Sequence, residues 1–168
     1  MERKLVIVRH AKSDWGVPGQ DDFDRPLNQR GKRDAPVMGQ RLRERSIRPD
    51  LVLASPAKRA AATARLIARE LSYPEERIQW VQALYHCPAY MFEEVLAAAA
   101  IPDEVQTVFL FAHNPGITHF ANETAPGLNI DNIPTCGMVG IAFDAPHWSD
   151  YATAAHKLLF FDYPKNQL

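Results

Sequence analysis

A chain of 168 residues, 46% apolar and 23% charged, has room for one domain with its own core and the make-up of an ordinary globular protein. Its formal net charge of −1 exerts no global pull toward nucleic acid or an anionic membrane, so any recognition of phosphate has to be local. No apolar run approaches the roughly 20 residues that span a bilayer, and "MERKLVIV" is charged and then apolar for only four residues, short of a secretory signal core. A cytoplasmic protein is expected. Cys87 and Cys136 lie far apart with no CxxC spacing, and are read as small apolar residues in a reducing compartment.

Residues 5–8, "LVIV", are β-branched and apolar enough for an interior strand, which ends abruptly on Arg9 and His10. "DAPVMGQRLRER" predicts a helix, with Val37, Met38 and Leu42 at helical spacing; Pro36 belongs in its first turn or kinks it, which leaves the start open. "PDLVLAS" predicts a second short strand. In "SPAKRAAATARLIARELS", Ser55 suits an N-cap and Pro56 the first helical position, and an alanine-rich body follows. "RIQWVQAL" holds a candidate third strand and "AYMFEEVLAAAA" a third helix. "TVFLFAH" is a buried strand by its unbroken apolar character, and "NPGITHFANET" repeats the helix-start signal with Asn114 as N-cap and Pro115 behind it. "GMVGIAF" and "HKLLFF" complete the series as two late strands. This alternation predicts a three-layer α/β/α sandwich around a mostly parallel central sheet, one domain over residues 1–168.

In an open parallel sheet, ligands bind beyond the carboxyl ends of the strands. Three predicted strands deliver unusual residues there: the first Arg9 and His10, the second the turn into Arg59, and "TVFLFAH" His113. Helix N-termini at the same edge favour anions through their free N–H groups. Singly, each residue has a bland reading: a strand ending on polar residues, a solvated helix arginine, a satisfied histidine. Together they describe a pocket for a doubly charged tetrahedral anion, a phosphoryl site.

The motifs "VRHAKSDW", "RPLNQRG", "SPAKRAAATA", "LY" at Leu84-Tyr85 and "HNPG" resemble, in that order, those of the histidine phosphatase superfamily, and most closely its short SixA-type phosphohistidine phosphatases. The resemblance implies a phosphoglycerate mutase-like fold, with His10 as the nucleophile that becomes phosphorylated and Arg9, Arg59 and His113 lining the phosphate pocket. Imidazole attacks phosphorus only when neutral, and two nearby arginines should lower the pKa of His10. Arginines hold phosphoryl oxygens bidentately, and a protonated His113 would add charge as the transition state develops. The expected reaction is in-line attack by His10 followed by hydrolysis of the phosphoenzyme. No metal or cofactor is expected: the cluster Asp21, Asp22 and Asp24 has the composition of a Mg²⁺ site but is read as a solvated acidic turn.

One part is missing. Larger superfamily members place a glutamate shortly after the third strand as proton donor, whereas this chain has Tyr85 and His86 there. The absence of an evident acid is what a phosphoramidate substrate would permit; the alternative is a proton from Asp21 or Asp24 of the acidic loop, with His86 as a third candidate. A departing imidazole needs little protonation, and the short connection between Arg59 and His113 leaves no room for a lid, so a phosphohistidine on another protein is the leading substrate. Trp15 and Phe23 are expected either to wall the mouth or to anchor the fold, and Trp148 and Phe160 to lie in the core. The alternatives are a phosphatase for small phosphate esters or sugar phosphates, and a phosphate-binding module without turnover.

Overall fold

The computed structural model describes residues 1–16 and 18–166. Six strands form one sheet: β1 (Glu2–Arg9), β2 (Leu51–Ala54), β3 (Gln79–Trp80), β4 (Thr107–Ala112), β5 (Met138–Asp144) and β6 (His156–Asp162), in the order β3-β2-β4-β1-β5-β6. The first four run parallel, β5 pairs antiparallel with both β1 and β6, and so β5 alone opposes the common direction. Helices α1 (Gln29–Glu44), α2 (Lys58–Glu70), α3 (Ala89–Ala98) and α4 (Gly116–Thr124) cover the faces. Alternation along β1 divides the core. Leu5 and Ile7 pack with Phe92 and Phe120 of α3 and α4 and with Trp148 on one face, and Val6 and Val8 pack with Met38, Leu42 and Ile67 of α1 and α2 on the other. The three-layer sandwich and mostly parallel sheet are therefore present, and Trp148 and Phe160 are buried as expected. Cys87 and Cys136 are both buried and unpaired.

Local readings shift in three places. Helix α1 begins at Gln29, where the Asn28 side chain accepts from the Gly31 N–H at 2.9 Å, so Pro36 lies inside the helix rather than in its first turn. A Cβ on Gly31 would fall 2.2 Å from the Lys12 carbonyl oxygen, so glycine is what lets α1 approach the segment after His10. Ser55 and Asn114 are not N-caps: α2 starts at Lys58 and α4 at Gly116, and both polar side chains are turned to other partners. Strand β3 contracts to two exposed edge residues between the buried Ile78 and Leu84.

Sheet register levels the strand ends. Arg9 pairs with Ala112 and Ala54 with Phe111, so the residues that follow, His10, Ser55 and His113, emerge side by side at one edge. The opposite edge is closed by Arg3, 1% exposed, whose guanidinium donates to the carbonyls of Asp103, Val105, Ala145 and Pro146. No helix among the described residues is long and apolar enough to cross a membrane.

Candidate active site

Arg9 and His10 are pinned from both sides: the His10 N–H donates to Ala112, while Cys136 N–H donates to the His10 carbonyl at 2.9 Å. His10 is 7% exposed, and its Nδ1 lies 2.8 Å from the Ala11 carbonyl. That contact makes Nδ1 the protonated nitrogen and leaves Nε2 with a lone pair, which accepts from Arg59 Nε at 3.3 Å. The geometry behind this is a small-residue helix face: buried Ala60, Ala64 and Ala68 bring α2 close to the sheet and carry Arg59, 1% exposed, to the pocket. Thr63, one turn on, accepts from the Ala11 N–H at 2.9 Å and donates to the Arg59 carbonyl at 2.8 Å, joining the helix and the His10 segment through one hydroxyl.

His113 follows β4 and its Nε2 is 2.8 Å from Ser55 Oγ, whose oxygen accepts from the Ala57 N–H. The His10 and His113 ring centres are 5.3 Å apart. Arg9 Nη1 donates to the Ile133 carbonyl at 2.8 Å. Arg9 Nε and His113 Nδ1 are buried without a partner. The cavity holds about 240 Å³, and Arg9, His10, Arg59 and His113 all line it.

Electrostatics bear out the expected fall in the His10 pKa and change the reading of His113. The pKa of His10 is lowered to about 3 chiefly by burial, with Arg59, Arg9 and Arg25 adding to it, so desolvation rather than the arginines leads. Burial likewise, then His10 and Arg59, takes His113 down to about 2, so it is a neutral ring in this pocket and not a standing positive charge. Burial followed by Arg59 also lowers the pKa of Arg9.

The acidic loop is arranged differently from expectation. Asp21 and Asp24 do not line the cavity; both are exposed, and Asp24 borders a separate surface hollow with Pro56 and Lys58. The residue between them does: Asp22 accepts from Arg59 Nη2 at 2.9 Å, Tyr85 Oη at 2.7 Å and Arg25 Nε at 3.1 Å, and its Oδ2 lies 2.8 Å from His86 Nε2. His86 joins the lining, its ring 5.0 Å from that of His113. Among the described residues no group of three His, Cys, Asp or Glu is placed to hold a metal. Arg25, missed at the sequence level, spans Asp22 and Ser13 Oγ and lies 3.4 Å over the exposed Trp15 ring at the rim. Its signal was the "RPLNQRG" stretch itself, which places an arginine just ahead of the capped helix. Phe23 meets Tyr85 edge-on at 5.1 Å.

Residues 5–82 match the family model for the histidine phosphatase superfamily (branch 1). The uncharacterized Mycobacterium tuberculosis protein Rv1276c is 30% identical over 168 residues, covering 94% of this chain and all of that protein. The SixA structure of Agrobacterium tumefaciens, assigned as a phosphohistidine phosphatase, is 28% identical with a TM-score of 0.77 over 96% of this chain and 98% of that one. A SixA protein histidine phosphatase complexed with tungstate shares the fold at 20% identity and a TM-score of 0.80, over 96% and 97% of the two chains. Several curated relatives are longer, and this chain spans between 26% and 56% of their length. By the family match and these end-to-end similarities, the chain belongs to the histidine phosphatase superfamily, with its SixA-type phosphatases.

Proposed function

We propose that the chain is a metal-independent phosphohydrolase in which His10 Nε2 takes the phosphoryl group and passes it to water. The observation that carries this reading is the orientation of His10. Nδ1 is committed to the Ala11 carbonyl, and the free lone pair on Nε2 faces the Arg59 guanidinium at 3.3 Å inside a cavity also lined by Arg9 and His113. A phosphoryl group entering there replaces Nε2 as the acceptor of the Arg59 Nε–H. Arg59, Arg9 and His113 then offer N–H groups to its equatorial oxygens, where charge develops in the transition state. Burial keeps both imidazoles neutral, which suits nucleophilic attack.

The leading substrate is phosphohistidine displayed on another protein. In support, the likeness to SixA proteins runs the length of the chain, and the path from Arg59 to His113 holds only the rest of α2, β3, α3 and β4 with their turns, with no added lid element. Small phosphate esters are the second reading, favoured by one observation: His86, a group able to protonate an alkoxide, lies in the pocket.

The deciding experiment mixes the protein in EDTA with a phosphohistidine peptide and, separately, with p-nitrophenyl phosphate, quenches in alkali because phosphohistidine is acid-labile, and maps the label by mass spectrometry. A phosphoenzyme on His10, undiminished by EDTA and absent from His10→Ala along with turnover, is expected. Label on another residue, or full turnover by His10→Ala, overturns the proposal. Binding without turnover would leave a phosphate-binding module, and faster turnover of esters than of the peptide would move the substrate to the second reading.

A further inference from the structure

Resting on the phosphatase reading, the next inference concerns the proton that an ester leaving group requires. Four side chains converge on Asp22: Arg59, Tyr85 and His86 at Oδ2 and Arg25 at Oδ1. Burial disfavours the Asp22 charge, but the hydrogen bonds from Tyr85, His86 and Arg59 outweigh it, and the carboxyl is held well below its usual range. Asp22 is thus a fixed carboxylate with no proton to give. Burial and the Asp22 hydrogen bond push the Tyr85 phenol upward, making it a poorer acid than usual. Among the pocket groups contacting Asp22 the arginines do not release protons at all, and His86 is what remains.

Its backbone gives an independent reason. His86 has φ of +50°, in the left-handed region that side-chain-bearing residues rarely occupy. Such a conformation persists where the surroundings impose it, and it recurs at functional positions. Here the surroundings are specific. The Cys87 carbonyl oxygen sits 2.0 Å from where a Cβ on Gly116 would be, so the loop is seated against the start of α4, and the imidazole is turned in toward Asp22 Oδ2, with Arg59 Nη2 3.4 Å away.

We infer that His86 is the proton donor to the leaving group, with Asp22 as the positioning residue that holds the ring at the phosphoryl pocket through Nε2 and leaves the Nδ1–H of the protonated ring as the proton to give. In the first step the His10 Nε2 lone pair forms the bond to phosphorus, the P–O bond to the leaving group breaks, and its electron pair takes the proton from protonated His86. In the second, neutral His86 accepts a proton from the attacking water, the P–N bond breaks, and its pair returns to His10 as phosphate departs. Ester and water give alcohol and phosphate, and both histidines are restored. The chain is thereby equipped for alkyl esters as well as for phosphoramidates.

The test compares p-nitrophenyl phosphate, whose leaving group needs no proton, with β-glycerophosphate, whose alkoxide does. His86→Gln should lower kcat/KM on β-glycerophosphate by about 100-fold and lower kcat/KM on p-nitrophenyl phosphate, which reads the first step alone, by far less, while the slowed hydrolysis step lowers kcat on both; His86→Glu should recover part of the loss. Retained kcat/KM on the nitrophenyl ester also shows the variant is folded. Equal loss of kcat/KM on both substrates, or no loss on the alkyl ester, overturns the inference. Wild-type protein inert on both overturns the phosphatase reading itself, and this inference with it.

Discussion

His10 owes its chemistry to one short backbone contact and to burial. The Ala11 carbonyl fixes the tautomer, and desolvation sets the charge: a ring 7% exposed and facing arginines has its pKa lowered to about 3. Below the ordinary imidazole value the ring stays neutral, so acid would cost the proposed nucleophile its lone pair only far below the usual range. The measurable consequence is a kcat/KM profile that shows no loss of an imidazole nucleophile between about pH 5 and 6.5, once the substrate's own ionisation near about pH 6 is factored out. A tenfold drop per pH unit beginning at about 6.5 would mean that His10 titrates as a solvated ring. At the same scale, Asp22 shows what one sequence hides. Its four partners lie 3, 37, 63 and 64 residues away, so nothing in "QDDFDRP" distinguishes it from Asp21 and Asp24, which face solvent.

Between elements, the site depends on how closely α2 and the segment after His10 are joined, and Thr63 makes that joint. Its hydroxyl accepts from the Ala11 N–H and donates to the Arg59 carbonyl, both buried. Thr63→Val keeps the shape and strands the Ala11 N–H, which should cost about 1–3 kcal/mol of stability and lower kcat/KM by about tenfold through loosened placement of Arg59. Thr63→Ser should restore both quantities, as read by urea unfolding and steady-state kinetics. A valine variant with unaltered kinetics would show that α2 is placed by packing alone. The strands feeding this site were legible because buried strands are unbroken apolar runs, and "LVIV", "LVLA" and "TVFLFA" are such runs. The start of α1 was not: residues 29–34 have no apolar face, and the reason for Gly31 is a carbonyl of Lys12, far back in the chain. The N-cap reading of Ser55 and Asn114 failed for a related reason. Capping propensity records what a short polar side chain does when nothing else competes for it. Here His113 claims Ser55, while Asn132, Ile133 and Thr118 claim Asn114.

For the molecule as a whole, function and stability draw on opposite ends of the sheet. Two arginines, each 1% exposed, show the division. Arg3 is spent on four carbonyls at the amino ends of the strands, whereas Arg59 faces a carboxylate, the His10 ring and a cavity at the carboxyl ends. Sequence marks neither as buried, because burial is conferred by neighbours. The pocket end carries a thermodynamic cost in two imidazoles held neutral. In the unfolded chain both titrate near the reference value of 6.5, and in the fold they are lowered to about 3 and about 2. Between those limits the unfolded state binds more protons than the native state, so stability rises with pH. This contribution is therefore complete above the unfolded value and is lost as pH falls toward the folded ones. Asp22 acts in the same direction but only below its reference value of 3.8. Urea unfolding at a series of pH values should accordingly show stability declining from about pH 6.5 downward, with a slope approaching two protons from these rings alone. The double variant His10→Asn, His113→Gln should remove most of that slope above about pH 4.5, where carboxylates contribute little. An unchanged slope in the double variant would show that both rings already carry their protons in the native protein, and a histidine that is charged at rest could not be the nucleophile.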